Sequence, residues 1–214
     1  LRPRDAATLI IVRDNREVLL GVRSAGHVFM PHMYVFPGGR VDAGDARVPC
    51  PVPLRAEVEN KLTQSVTPAR ARALAMTAVR ETFEETGLVL GEKPVVPIHT
   101  SSVHWQPFFG LGVVPALDKL EYVARAITPP NRVRRYDALF FLVDARHVSG
   151  ELKGNGELED LRWVNLAAAN RLALSPITEL VLNLLERRLS GKSGAVEEVP
   201  FYRELHGKEL IEHE

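Results

Sequence analysis

The clearest pattern of apolar and polar positions starts at Thr67-Pro68. Thr67 can cap a helix, Pro68 suits the first helical position, Ala69 to Val79 is rich in helix formers, and Gly87 supplies a stop. The pattern predicts a helix over about residues 68 to 86. Met76, Val79 and Phe83 form one apolar stripe, while Leu74 and Ala78 lie on the side that ends in acidic residues. Upstream, Ala7 to Val12 and Val18 to Val22 are β-prone runs flanking Asp14-Asn15, a hairpin turn signal. Residues 46 to 66 begin rich in proline (Pro49, Pro51, Pro53) and then predict a short helix over Leu54 to Leu62. After the long helix, strands are predicted at Leu88 to Leu90, Tyr122 to Ile127, Ala138 to Val143 and Leu161 to Val164, with helices at Asn165 to Ala169 and Pro176 to Leu189. Strands on either side of an amphipathic helix, with a second helix near the C-terminus, predict an α/β fold: an α/β/α sandwich around a mixed sheet.

The long helix ends against a local rule. Arg80-Glu81-Thr82-Phe83-Glu84-Glu85-Thr86-Gly87 places three carboxylates in its last turns, where the macrodipole is negative. Glu81 and Glu85 are four apart and Glu81 and Glu84 three apart, so their side chains rise on neighbouring turns and can converge on one point. An ordinary solvated face with an Arg80 to Glu84 pair is the plain reading, worth about 0.2–0.5 kcal/mol. A divalent cation is the reading that compensates the charge, because local rules are broken mostly at functional sites.

A second segment favours the cation. Phe36-Pro37-Gly38-Gly39-Arg40-Val41-Asp42-Ala43-Gly44-Asp45 follows an apolar, β-prone stretch, and its Gly pair lets backbone approach a ligand closely. Joined to the acidic helix, it resembles the signature of the Nudix hydrolases, G-x5-E-x7-R-E-U-x-E-E-x-G-U, where U is aliphatic. Gly39 opens the signature, Asp45 takes its first acidic position and Arg80 to Leu88 complete it. Asp45 replaces Glu, and Thr82 stands where an aliphatic residue is expected. Between Asp45 and Arg80 lie 34 residues (80 − 45 − 1) against seven in the signature, an insertion of 27. Lengthening a loop costs only about 0.6 kcal/mol per doubling, so the two halves can still meet. Leu19 to Ser24, Phe29-Met30-Pro31, Val35 to Gly39, Ile127-Thr128-Pro129 and Arg134 to Asp137 are similar to the branch related to peroxisomal coenzyme A diphosphatases, which has an interrupted box.

The resemblance implies a Nudix-type α/β/α sandwich and hydrolysis of a phosphoanhydride. Hard oxygen donors select Mg²⁺ or Mn²⁺. Glu81 and Glu85 are the first ligand candidates and Glu84 the next. By resemblance, the Gly38 carbonyl completes the inner shell and Arg80 orients the carboxylates. For the general base, Glu84 is placed ahead of Glu157 and Glu159, two carboxylates in a late loop of the kind some family members use. Arg23, Arg40, Gly39 and Arg135 are the substrate-contact candidates, guanidinium geometry suiting phosphate. Phe29, Phe36 and Tyr136 could stack on adenine, although core packing is the plainer role for each, and the seven His show no zinc spacing, His27, His32 and His104 included.

Composition changes the picture little. Of 214 residues 45% are hydrophobic and 25% charged, enough for one domain with a sizeable core. Lys+Arg and Asp+Glu number 27 each, so no broad electrostatic case exists for nucleic acid or an anionic membrane, and a decapping role lacks a basic tract. Cys50 is alone, no run approaches a membrane span, the run after Leu1-Arg2-Pro3-Arg4 is too short for a signal peptide, and Ile211 to Glu214 is no peroxisomal address. A cytoplasmic location is expected. The domain reading is residues 1–190 as one Nudix hydrolase domain with an insertion at about 46–72, which a lid, a dimer contact or decoration would each explain, then 191–214 as linker and tail. Gly191-Lys192-Ser193-Gly194 reads as the linker, and Phe201 and Tyr202 as tail residues that pack on a neighbour. The expected function is a metal-dependent pyrophosphohydrolase of a nucleoside diphosphate linked to another moiety, a coenzyme A derivative or an ADP-ribose-like molecule. The alternative is a non-catalytic sensor of such a ligand. A homodimer is left open.

Overall fold

The computed structural model describes residues 2–24, 26, 31–190, 198–205 and 208–213. His27, Phe29 and the expected linker at 191–194 lie outside the described residues. The chain runs through β1 (Arg4–Arg13), β2 (Glu17–Arg23), β3 (Tyr34–Val35), β4 (Gly38–Arg40), α1 (Ala56–Thr63) and α2 (Pro68–Thr86). It continues through β5 (Gly91–Glu92), α3 (Gln106–Phe109), β6 (Val114–Pro115), β7 (Glu121–Ile127) and β8 (Tyr136–Asp144). Last come β9 (Leu158–Asn165), α4 (Leu166–Ala169), α5 (Pro176–Leu189), β10 (Pro200–Leu205) and β11 (Lys208–His213).

One mixed sheet organises the molecule, in the order β11-β10-β7-β8-β1-β2-β3, with β4 also on β1 and β9 also on β2. The β1–β8 and β10–β7 pairs are parallel and the rest antiparallel. Asp14 and Asn15 turn β1 into β2 with φ of 52° each, a left-handed conformation that Asp and Asn tolerate better than most residues. Alternation along β1 divides the core between the two faces. Leu9 and Ile11 join a cluster with Leu74, Ala75, Ala78 and Val79 of α2, while Ile10 and Val12 join Val181, Leu182 and Leu185 of α5. This is the expected α/β/α layering. The helix α2 has its expected bounds: the Thr67 hydroxyl accepts from the Arg70 amide at 3.3 Å, and Gly87 closes it at φ 73°.

Two segments take a different part from the one expected of them. The insertion is built into the core: Val48, Leu54, Val58, Leu62 and Val66 are buried in the cluster under α2, and α1 packs on α2 and β7. The apolar spacing of Val58 and Leu62, one helical turn apart, makes it an integral wall. The C-terminal segment is a hairpin whose β10 extends the sheet at β7, with Phe201 opposite Arg125 and Tyr202 opposite Ala126. Phe201 lies 4.7 Å from the Arg125 guanidinium and Tyr202 packs on the α5-side core, so both are used within the chain. The unpaired edge of β7 is the physical reason, since backbone donors and acceptors there need partners. Among the described residues, no helix is long and apolar enough to cross a membrane.

Candidate active site

The last two turns of α2 lie over β4. Gly38 sits opposite Thr8 of β1, and a Cβ there would come 2.5 Å from the Ala7 carbonyl and 2.7 Å from Thr8 Cα. Only glycine permits that approach. The Gly38 amide donates to Glu85 Oε2 at 2.8 Å. A Cβ on Gly39 would lie 2.5 and 2.6 Å from the two Glu81 carboxylate oxygens. The diglycine is therefore a floor without side chains on which two carboxylates rest.

Arg80 binds the acidic cluster to the other half of the signature. It is 3% exposed. Its Nε and Nη2 donate to the two Asp45 oxygens at 2.8 and 3.0 Å, its Nη1 lies 2.9 Å from both Glu81 Oε1 and Glu84 Oε2, and its Nη2 also donates to the Arg40 carbonyl at 3.0 Å. Asp45, with no exposed surface, accepts in addition from Trp105 Nε1, Thr77 Oγ1 and the Asp42 amide, each at 2.8 Å. Burial pushes the Asp45 carboxyl up, but the bonds from Arg80, Asp42 and Thr77 outweigh it and hold it below the usual value. Burial likewise opposes the Arg80 charge, and Asp45, Glu81 and Glu84 together hold it above its ordinary value.

The three glutamates are not balanced in this way. Burial is the main cause in each case. It lifts Glu85 to about 8, with Glu81 and Glu157 adding repulsion against the opposing Gly38 amide and Arg23. Glu81 rises to about 7, where Arg80 opposes and Glu84 and Glu157 repel. Glu84, half-buried, is also raised despite Arg80 and the nearby His104, whose Nδ1 is 3.8 Å from Glu84 Oε1. Three carboxyls that burial disfavours as bare anions, gathered at one helix end beside a backbone carbonyl, are oxygen donors of the kind a hard divalent cation takes. Among the described residues, no group of three His, Cys, Asp or Glu side chains is already gathered as an ion site: Glu81 is drawn to Arg80 and Glu85 to the Gly38 amide. A cleft of about 500 Å³ is lined by Lys93, Pro97, Ile98, His99, Gln106 and Phe109, and none of the three glutamates lines it.

The NUDIX domain model matches residues 71–185, more than half of the chain. The chain belongs to the Nudix family. The match begins inside α2, at the end of the insertion, so the Gly38–Asp45 half of the signature lies outside it and is joined to the rest by the fold. The chain is 26% identical to a NUDIX hydrolase from Alicyclobacillus acidocaldarius over 86% of its own length and 91% of that structure, with a TM-score of 0.65. A MutT NUDIX hydrolase from Burkholderia pseudomallei, 19% identical over 86% of this chain and 98% of that one at a TM-score of 0.51, shares the fold. No curated protein matches the chain. The protein is thus an enzyme acting on the pyrophosphate bond of small nucleotide-derived substrates, and Nudix hydrolases generally use divalent cations.

Within this Nudix site, Glu81, Glu84, Glu85, Arg80, Gly38 and Gly39 come together. Arg23 acts on Glu85 from the end of β2, and Glu157 acts on both Glu81 and Glu85. Arg40 contributes its carbonyl, while its side chain is exposed. Arg135 is placed elsewhere: its Nε donates to the Thr128 carbonyl at 3.0 Å, and it adjoins Tyr136, which faces Arg4. Arg4 is four residues along β1 from Thr8, the partner of Gly38, about 13 Å at the usual strand rise. Glu159 pairs with Val22 and is exposed. Phe36 is a core residue beneath α5. Sequence reasoning missed Trp105 and Thr77 as partners of Asp45, and gave His104 no place beside Glu84. Trp105 lies in irregular chain 60 residues from Asp45, where no periodicity signals a contact.

Proposed function

We propose that this enzyme is a Mg²⁺- or Mn²⁺-dependent pyrophosphohydrolase cleaving the diphosphate of a nucleoside diphosphate linked to a second moiety. Coenzyme A derivatives and ADP-ribose-like molecules are the leading substrates. The observation that carries the reading is the seating of Glu81 on Gly39 and Glu85 on Gly38, under an Arg80–Asp45 pair that closes the interrupted signature. Glu81, Glu85 and Glu84, with the Gly38 carbonyl, are the residues that would hold the cation, and side-chain rotation would bring them onto it. When bound, the cation neutralises diphosphate oxygens and lowers the pKa of attacking water.

The chain's own residues supply the rest. Arg80 holds Glu81 and Glu84 at the end of α2, and the Gly38 amide holds Glu85, so the three carboxyls stay close to one point. Arg23, beside Glu85, meets a phosphate oxygen. Water attacks phosphorus, the anhydride P–O bond breaks with the leaving phosphate keeping the bridging oxygen, and the water proton passes to Glu84 or to Glu157. The coenzyme A diphosphatase-like branch is favoured by the interrupted box and by the Leu19–Ser24 stretch, which carries Arg23.

The test is a product-identified screen with Mg²⁺ or Mn²⁺ over coenzyme A and its acyl derivatives, ADP-ribose and other nucleoside diphosphate conjugates. The reading expects a nucleoside monophosphate-type product in at least one class, and loss of it in Glu85→Gln. Turnover of none of them, or equal turnover by Glu85→Gln, overturns it.

A further inference from the structure

The strand β9 contains an irregularity that the chemistry described so far does not use. Leu20 pairs with Arg162 and Val22 with Glu159, so Gly21 alone stands opposite two residues, Asp160 and Leu161. That is a β-bulge, and it changes which face the strand presents. Val164 faces the α5-side core and Trp163 the α2-side core, so plain alternation would send Leu158 toward α5. Instead, Leu158 and Leu161 both lie over Gly21, where a Cβ would come 3.0 Å from Leu158 Cβ and 2.8 Å from Leu161 Cδ2. Asp160 makes the change with φ at 46°, a left-handed conformation uncommon outside glycine.

Two side chains grip that residue. The Tyr34 hydroxyl donates to Asp160 Oδ2 and accepts from Arg162 Nη2. The Arg162 guanidinium stacks 5.0 Å from the Tyr34 ring centre, and its Nε lies 3.4 Å from Asp160 Oδ2. Burial, then the bond to Asp160, pushes the Tyr34 pKa above its ordinary value, which keeps the hydroxyl a donor. Tyr34 belongs to β3, and Asp160 and Arg162 to β9, so the grip spans the intervening β2.

Just before the bulge the chain returns to the active site. The Glu157 carbonyl accepts from the Ser24 amide at 3.3 Å, the Glu157 amide donates to Asn155 Oδ1 at 2.9 Å, and the Lys153 amide donates to the Thr86 carbonyl at 2.8 Å, at the end of α2. The Glu157 charge is close enough to raise both Glu81 and Glu85. We propose that Tyr34 is a positioning residue: with Arg162 it clamps the Asp160 bulge and so holds the 153–157 loop with Glu157 facing Glu81 and Glu85. This rests on the reading that places Glu157 at the reaction.

Hydrogen exchange and kinetics test it together. In Tyr34→Phe the Ser24 and Lys153 amides should exchange about tenfold faster, while the Gly38 amide and the β1–β8 ladder keep their protection. With Mn²⁺ and either coenzyme A or ADP-ribose, whichever is turned over, Tyr34→Phe should lower kcat about tenfold and leave KM within about twofold, as expected of a misplaced group. In a Glu157→Gln background the same substitution should cost nothing further, because both changes remove one contribution. Asp160→Asn, which keeps an acceptor and tolerates the backbone, should stay near wild type, and Asp160→Ala should match Tyr34→Phe. Unchanged exchange, or kcat losses that multiply in the double variant, overturns the proposal. If wild type turned over neither compound, the functional reading would fail by itself, and the exchange result would still decide whether the clamp exists.

Discussion

Replacing Asp45 by asparagine removes one charge from a carboxylate with no exposed surface. The five donors to its carboxylate are Arg80 Nε and Trp105 Nε1 on Oδ1, and Arg80 Nη2, Thr77 Oγ1 and the Asp42 amide on Oδ2. Asparagine offers one acceptor oxygen and one NH₂, so whichever way it turns, at least two donors face a donor. Arg80 keeps Glu81 and Glu84 as counter-charges, at 2.9 Å each. The loss therefore falls at the lower end of the 3–5 kcal/mol typical of breaking a buried ion pair, about 3 kcal/mol. For a chain of this size that is about 6–12 °C in Tm. Urea denaturation at neutral pH, with an unchanged m-value, is the assay. A loss below about 1 kcal/mol would refute the reasoning, because Asp45 would not then be the anchor that joins the two halves of the interrupted signature.

Other outcomes follow from single positions. Gly39→Ala places its methyl on the flexible end of Glu81, so stability should hold within about 1 kcal/mol while turnover drops about 100-fold; retained activity would show that the Glu81 seat does not matter. The Thr82 hydroxyl is buried without a hydrogen-bond partner among the described residues, and Thr82→Val should stabilise by about 1 kcal/mol in urea, destabilisation counting against that assignment. Asp137 is raised by burial but lowered more by hydrogen bonds from Arg125 and Arg70, so its folded value lies below the usual 3.8. Its stabilisation is then complete above about pH 4 and lost as pH falls through the folded value. The stability gap between wild type and Asp137→Asn should shrink below about pH 4; a gap constant from about pH 6 to 2.5 would contradict this.

Much of the fold was legible because it is local. The bounds of α2 follow from Thr67, Pro68 and Gly87, and β1 to β2 from alternation around Asp14-Asn15. The candidate site was legible where it rests on helical spacing and on the diglycine, since Glu81, Glu84 and Glu85 share the end of one helix. What the sequence hides is pairing between distant segments. Trp105 and Thr77 reach Asp45 from separate elements, and the insertion reads as surface because only Val58 and Leu62 in α1 are spaced for burial. The C-terminal hairpin is short and strongly charged, so its role as a strand pair depends on the free edge of β7, which no periodicity reveals. Arg135 was chosen for its guanidinium, and the fold spends that group on the Thr128 carbonyl at the far end of β1.

The central claim is that two stretches of chain separated by the insertion jointly hold a divalent cation. A crystal soaked in Mn²⁺, measured at the manganese absorption edge, tests it most directly. The account predicts an anomalous peak bounded by the carboxylates of Glu81 and Glu85 and the Gly38 carbonyl, and its loss in Glu85→Gln. A peak lodged elsewhere, or none between the end of α2 and the diglycine, would contradict it.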